Sequence, residues 1–375
     1  MPNANGLTKT LIPSVLTATK PTVNPQSTRL LQCVPCAIPN GAPQATQTGT
    51  SSEMNGANDH SYTPYISKLN SKSAVIPRMD NVVIAMSSGA LYDFSKDNKL
   101  AKTHGKAAYA AYQEANKTSV LDKGDAFALA EKLYNINEKL AAVGSDLKFD
   151  VVITSKNTPR AHIRTTHSNS HYHLPIGRAA FTGGASPFRY AKAFGASLYL
   201  TTNPDDAKQA LLQGVPAARI LPSKQKETRS DQLRVAFDAD AVIFSDASER
   251  IAMNGTLEDF QNHERDNVNI PLEKGPLYPL LYQLSQLQKA FPSDDCPIRI
   301  AITTARSAPA NERLHNTLEA WNIEVDELHL LGGKDKGPFL EAFEADLFFD
   351  DKLKNTENGA KYVPSAHVHY GVSNE

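Results

Sequence analysis

From Asn81 onward, short β-branched or apolar runs alternate with stretches that carry apolar residues at helical spacing. That texture restricts the chain to an α/β fold built on a mainly parallel sheet. The predicted strands are NVVIAMS (81–87), KFDVVITS (148–155), ASLYLTT (196–202), RVAFDAD (234–240), IRIAITT (298–304) and ADLFFDD (345–351). Residues 124–143 and 278–291 have helical periodicity. The alternation also occurs twice. At an offset of about 150 residues, LDKG (121–124) falls on LEKG (272–275), Thr154 on Thr304, and GGASPFRYAKAFGASLYLTT (183–202) on GGKDKGPFLEAFEADLFFDD (332–351) without a gap. Such a period is too long for a solenoid and suits a duplicated domain. The expected organisation is a leader over 1–78, a first half over 79–230 and a second half over 231–375.

A chain of 375 residues has room for about two domains with proper cores. Residues 1–78 are rich in Pro, Thr, Ser, Asn, Gln and Gly without a sustained period, the composition of a flexible leader. Charge is balanced, 39 Lys+Arg against 40 Asp+Glu, so a nucleic-acid duplex is not an expected partner. No stretch approaches the ~20 apolar residues of a membrane span, and the first residues lack the layout of a secretory signal. The expected location is the cytoplasm, with no membrane partner and with room for a homo-oligomer. Three cysteines exclude a disulfide framework. Cys33 and Cys36 form a single C-x-x-C with no second pair to complete a zinc tetrahedron.

The second half carries an ordered set of groups suited to phosphoryl transfer. Asp238 and Asp240 form D-x-D at the end of an apolar strand, where open α/β sheets place their sites. Residues two apart on a strand share a face, so both carboxylates address one substrate if the strand continues that far. Thr304 ends the next predicted strand, Lys336 follows Gly332–Gly333, and Asp350 and Asp351 end a third strand. A phosphate dianion repels a carboxylate nucleophile, so the chemistry demands a cation and a metal as well as acids. Mg²⁺ takes carboxylate oxygens, water and substrate phosphate, which suits Asp238 with Asp350 and Asp351. Asp238 is the candidate nucleophile and Asp240 the acid/base.

The order FDADAV, ITTARS, GGKDKGPF and LFFDD resembles the four motifs of the haloacid-dehalogenase-like phosphohydrolases. The longer strings VAFDADAVIFSDASE, TTARSAPANER, LGGKDKGPFLEAF and AHVHYG are similar to the cytosolic 5'-nucleotidase I group, and SKNTP with AAFTGGASPFRYAKAF matches its upstream half. The resemblance covers residues 80–373. It implies a Rossmann-like sheet with small helical cap insertions, placed here at about 246–296, and Mg²⁺-dependent removal of phosphate from a nucleoside 5'-monophosphate, AMP or a deoxynucleotide. On this reading Asp238, Asp240, Asp350 and Asp351 hold the metal, while Thr304, Arg306 and Lys336 bind substrate phosphate. Arg306 has a second reading, support of its own loop.

At the aligned positions the first half has Ser87 for Asp238, Gly89 for Asp240, Pro187 for Lys336, and Thr201 and Thr202 for Asp350 and Asp351. With no carboxylate to attack or to hold a metal, it is expected to be a degenerate twin that packs against the active half and helps to shape the cleft. His167, His171 and His173 read as a polar loop, and His367 and His369 as packing or support. Two rival functions follow from the same residues: a phosphatase for another small phosphoester such as a sugar phosphate, and a catalytically silent nucleotide-binding protein.

Overall fold

A computed structural model describes residues 81–223 and 231–375. The leader over 1–78, with Cys33 and Cys36, lies outside the described residues. The first half contains β1 (Val82–Met86), α1 (Ser88–Leu91), α2 (Ser95–Ala115), α3 (Phe127–Ala142), β2 (Phe149–Ser155), α4 (Ala161–His171), β3 (Ala179–Phe181), α5 (Phe188–Ala193), β4 (Leu198–Thr201), α6 (Pro204–Leu212) and β5 (Ala217–Ile220). The second contains β6 (Leu233–Phe237), a helical turn over Ala239–Ile243, α7 (Ala247–Asn254), α8 (Leu257–Asp266), α9 (Tyr278–Gln288), β7 (Ile298–Thr304), α10 (Asn311–Ala320), β8 (Glu327–Leu330), α11 (Gly337–Phe343), β9 (Leu347–Asp350), α12 (Leu353–Gly359) and β10 (Ser365–His367). The expected α/β class is what forms.

Among the described residues ten strands join one sheet in the order β3-β2-β1-β4-β5-β10-β9-β6-β7-β8. Each half therefore uses the same order of strands, read outward in opposite directions from the middle. Within each half the strands pair in parallel, and the joint is the antiparallel pair β5–β10, where Ala366 faces Ile220 and His367 faces Arg219. Strands buried on both faces by helices need near-continuous apolar runs, and β1 and β4 are fully buried along their lengths.

The halves agree in small features too. A two-residue bridge follows the first strand of each, Tyr92 with Lys123 and Phe244 with Lys274. Glycine follows each bridge because the backbones touch: a Cβ on Gly124 would lie 2.7 Å from Ala90 O, and one on Gly275 2.2 Å from Phe244 O. The antiparallel joint has a consequence for function. It turns the carboxyl ends of β1, β2 and β4 to the opposite sheet edge from those of β6, β7 and β9, so the first half's strand ends do not line the second half's cleft. The first half approaches the site instead through β5, whose Arg219 pairs in register with His367 and acts on it.

Two expectations change. The segment 246–296 divides into α7 and α8, which lie beyond the strand end, and α9, whose Leu280, Leu281, Leu284 and Leu287 are buried in the core. Of the segment expected to form a cap, α9 therefore belongs to the core. The histidines of HSNSHYH lie on the last turns of α4 and just after it, not in a polar loop. The segment is helical because its polar residues between the histidines are bonded inside: Ser168 accepts from Leu121 N at 2.9 Å, and Asn169 accepts from Tyr92 Oη at 2.6 Å.

One ion pair crosses between the halves in the interior. Lys132 of α3 donates to Asp346 at 2.5 Å and to Gln232 O at 2.9 Å, and the two side chains are 8% and 3% exposed. Asp346 also accepts from Arg234 N at 2.8 Å, and its burial raises its pKa against the pull of Lys132. Removing one partner of a buried pair leaves the other charge unpaired. Lys132→Met is expected to lower unfolding free energy by about 3 kcal/mol in urea titrations, and adding Asp346→Leu to recover part of that loss.

Candidate active site

The apolar run of β6 ends at Phe237, whose ring stacks on Phe349 of β9 with centroids 5.2 Å apart. The register pairs these two residues directly, so the next residue of each strand, Asp238 and Asp350, emerges side by side. Asp238 N donates to Phe349 O at 2.7 Å, and Asp238 Oδ1 accepts from Ala239 N at 2.7 Å, which fixes the carboxylate at the start of the helical turn. Lys336 reaches in from the loop ahead of α11. Its neighbour must be glycine, since a Cβ on Gly337 would stand 2.3 Å from the Tyr362 ring. Lys336 Nζ lies 2.7 Å from Asp238 Oδ2 and 2.6 Å from Asp350 Oδ2.

Asp350 is fully buried, and its Oδ1 accepts from Lys352 N at 2.8 Å and from Asn355 Nδ2 at 3.1 Å. Asp351 is also buried, but among the described residues its Oδ2 has no hydrogen-bond partner. Its position comes from the main chain: Asp351 O accepts from His367 Nε2 at 2.7 Å and from Asn374 Nδ2 at 2.8 Å. Ligand oxygens of Asp238, Asp350 and Asp351 all fall within 4.8 Å of one another. Lys352, the next cation, is spent on Glu249 at 2.7 Å.

Three carboxylates thus face one ammonium in the interior. Burial pushes Asp238 up to about 7, with Asp350 and Asp240 adding to the rise and Lys336 opposing it. Burial, then Asp238, Asp350 and Glu249, push Asp351 up to about 9. The same acids raise Lys336 against the effect of its own burial. A small divalent cation with a preference for oxygen fits this set: it supplies the missing positive charge and a partner for Asp351 Oδ2.

Two site residues stand differently from expectation. β6 stops at Phe237, so Asp240 is carried by the helical turn and not by a continued strand. Its carboxylate does not join the three-acid cluster; it accepts from Arg306 Nε at 2.8 Å and from Arg306 Nη2 at 2.7 Å. Asp240 is therefore no side-chain metal ligand in this arrangement. Arg306, read from sequence as a phosphate contact, spends its donors on Asp240, Glu264 and Ala310 O. Thr304 is buried at the end of β7, beside β6, and its hydroxyl accepts from Arg306 N at 3.1 Å.

Sequence reasoning missed Asn355 and Asn374 as supports of the acids, and Glu264 as a partner of Arg306; His367, read as packing or support, holds the Asp351 carbonyl. The spacing of Asn355 behind LFFDD is a local signal; the rest are long-range contacts. At the other sheet edge, Ser87 caps α1 and Thr154 and Thr201 are buried, with no carboxylate at the positions aligned to Asp238, Asp240, Asp350 or Asp351. Among the described residues, no helix is long and apolar enough to cross a membrane.

Residues 75–375 match the 5'-nucleotidase family. Human cytosolic 5'-nucleotidase 1B is 34% identical over 294 residues, which cover 76% of this chain and 48% of that protein. The chain thus aligns with about half the length of this curated relative. Among solved structures, histidinol dehydrogenase from Elizabethkingia anophelis overlays 76% of this chain and 52% of its own, at 13% identity and a TM-score of 0.20, too low to bear on fold or function. The family match spans both halves of the sheet and all four motifs around Asp238, and on that ground the chain belongs to the 5'-nucleotidase family.

Proposed function

We propose that the chain is a cytoplasmic, Mg²⁺-dependent hydrolase of the haloacid-dehalogenase type that cleaves nucleoside 5'-monophosphates, AMP or a deoxynucleotide first among them, through an aspartyl-phosphate. The observation that carries this reading is the meeting of Asp238, Asp350 and Asp351 around Lys336, from three separated stretches of chain. The family and the name of the human relative support the substrate class.

Asp238 Oδ attacks phosphorus, the bond from phosphorus to the ribose 5'-oxygen breaks, and the leaving oxygen takes a proton from Asp240. Water then attacks the phosphoryl group and gives its proton to Asp240, which frees phosphate and restores Asp238. Each transfer conserves charge and protons across the two steps. Lys336 holds the nucleophile and balances the phosphoryl oxygens, and the Thr304 hydroxyl at the adjacent strand end donates to phosphate. Mg²⁺, held by Asp238, Asp350 and Asp351, supplies Lewis-acid neutralisation of the phosphate. Arg306 takes one acceptor site on each Asp240 oxygen and leaves the other, where the proton would be carried.

Phosphate release from a panel of nucleoside monophosphates and sugar phosphates, with and without Mg²⁺, tests the substrate class: the nucleotides are expected to give the higher kcat/KM. Higher values for sugar phosphates would replace the nucleotidase reading. Asp238→Asn is expected to lose roughly 10³-fold or more in kcat. Because burial makes the ionised Asp238 costly to the metal-free fold, the same variant is expected to raise the metal-free melting temperature at pH 8. A variant that keeps its turnover removes Asp238 as nucleophile.

Mg²⁺ binding is expected to release protons. With Asp238 at about 7 and Asp351 at about 9, the metal-free site holds protons at neutral pH that a cation must displace. Affinity should therefore be weak below pH 6 and rise as pH climbs through 7 towards 9. Calorimetry in buffers of different ionisation enthalpy measures the protons released, and a pH-independent affinity contradicts the assignment of these carboxylates as the ligands.

A further inference from the structure

Arg306 joins two carboxylates. Asp240 occupies one side of its guanidinium at 2.8 and 2.7 Å, and Glu264 of α8 bonds Nη1 on the other. Glu264, with a fully buried side chain, also accepts from Arg313 Nη1 at 3.0 Å and from Ser248 Oγ at 2.8 Å. A purely structural purpose for Glu264 would be to neutralise Arg313 and fasten α8 to α10. That purpose does not require Arg306.

The first half is an internal comparison. Its α2, broken at Gly105, takes the place of α7 and α8. In the alignment that sets LDKG on LEKG, Asp97 falls on Ser248 and Gln113 on Glu264; in the GG-block alignment, Arg164 falls on Arg313. A buried carboxylate neutralises the arginine here as well, but from the other helix: Arg164 Nη1 donates to Asp97 at 2.8 Å, and Gln113 Nε2 donates to the same oxygen at 2.5 Å. The arginine is satisfied equally well in either layout. What differs is the connection onward. Lys156 replaces Arg306 and pairs with Asp206 at 2.5 Å, and Gly89 replaces Asp240. The half with no acid at the 240 position thus has neither the guanidinium fork nor a carboxylate placed to brace one.

We infer that Glu264 is a positioning residue for the reaction: by holding Arg306 from α8, it fixes the plane in which the guanidinium presents Asp240 to the substrate. The inference rests on the reading of Asp240 as the acid/base. Arg306 Nη1 bonds both Glu264 and Ala310 O, which stops the planar group from rotating about its own stem. Without Glu264 only Ala310 O holds that side of the fork, the guanidinium loses its charged anchor, and Asp240 moves with it.

The decisive variant moves the carboxylate to the other helix, as the first half has it, and leaves no acceptor behind: Ser248→Asp with Glu264→Leu. Arg313 keeps a carboxylate partner while Arg306 loses its brace. The variant is expected to melt like the unaltered chain, to keep KM for AMP within about twofold and to lose about tenfold or more in kcat, part of the roughly 10²–10⁴ that acid–base catalysis contributes. In an Asp240→Asn background the same swap is expected to cost nothing further, since both changes then act on one function. An undiminished kcat, a loss confined to KM, or a loss that adds in full to that of Asp240→Asn overturns the inference. If the swap fails to fold, Arg306→Lys, which keeps the charge and removes the fork, is expected to show the same kcat-selective loss, and full kcat there is equally decisive against it. An unaltered chain with no Mg²⁺-dependent release of phosphate from AMP would strike at the nucleotidase reading, not at the brace alone.

Discussion

Everything at the catalytic end depends on an unbalanced cluster of charge in the interior. Asp238, Asp350 and Asp351 are held together by strand register and loop hydrogen bonds although they repel one another, and Lys336 offsets only part of that repulsion. A fold selected for stability alone has no reason to gather like charges where water is excluded, because each ion costs several kcal/mol of desolvation. The cluster makes sense when a divalent cation and a phosphate complete it. In that state the protein supplies negative charge to hold the metal, and positive charge from Lys336 and the metal to hold the phosphate.

The scaffold around that cluster is a sheet with an internal two-fold character. Equal strand orders in the halves, equal bridges after β1 and β6, and glycines under equal close contacts point to a duplicated unit. The antiparallel joint at β5–β10 then sends the two sets of strand ends to opposite edges. The acid-free strand ends of the first half thus lie away from Asp238. The first half keeps its core, the joint and the buried Lys132–Asp346 pair.

Much of this was legible in the sequence, for identifiable reasons. Strands such as VVIAM and IRIAITT declare themselves because burial on both faces demands unbroken apolar runs. Strands β3, β5, β8 and β10 escaped because AAF, AARI, ELHL and SAH lack the unbroken run of large apolar residues that marks β4 and β9, which are no longer than β5 or β8. The four motifs around Asp238, Thr304, Lys336 and Asp350 were readable because phosphoryl chemistry admits few residue types. The contacts of Asp240 and Arg306 were not. They turn on where β6 stops and on Glu264, a residue 42 positions from Arg306 whose only sequence trace is the weak correspondence with Gln113.

The central claim is that the phosphoryl group passes through Asp238. Rapid acid quench of the Mg²⁺-loaded chain during turnover of AMP, followed by borohydride, reduces an aspartyl-phosphate to homoserine at the residue that carried it. Peptide mass mapping is expected to find homoserine at position 238, dependent on both substrate and Mg²⁺. Homoserine at another aspartate, or steady turnover with none at 238, would contradict the account.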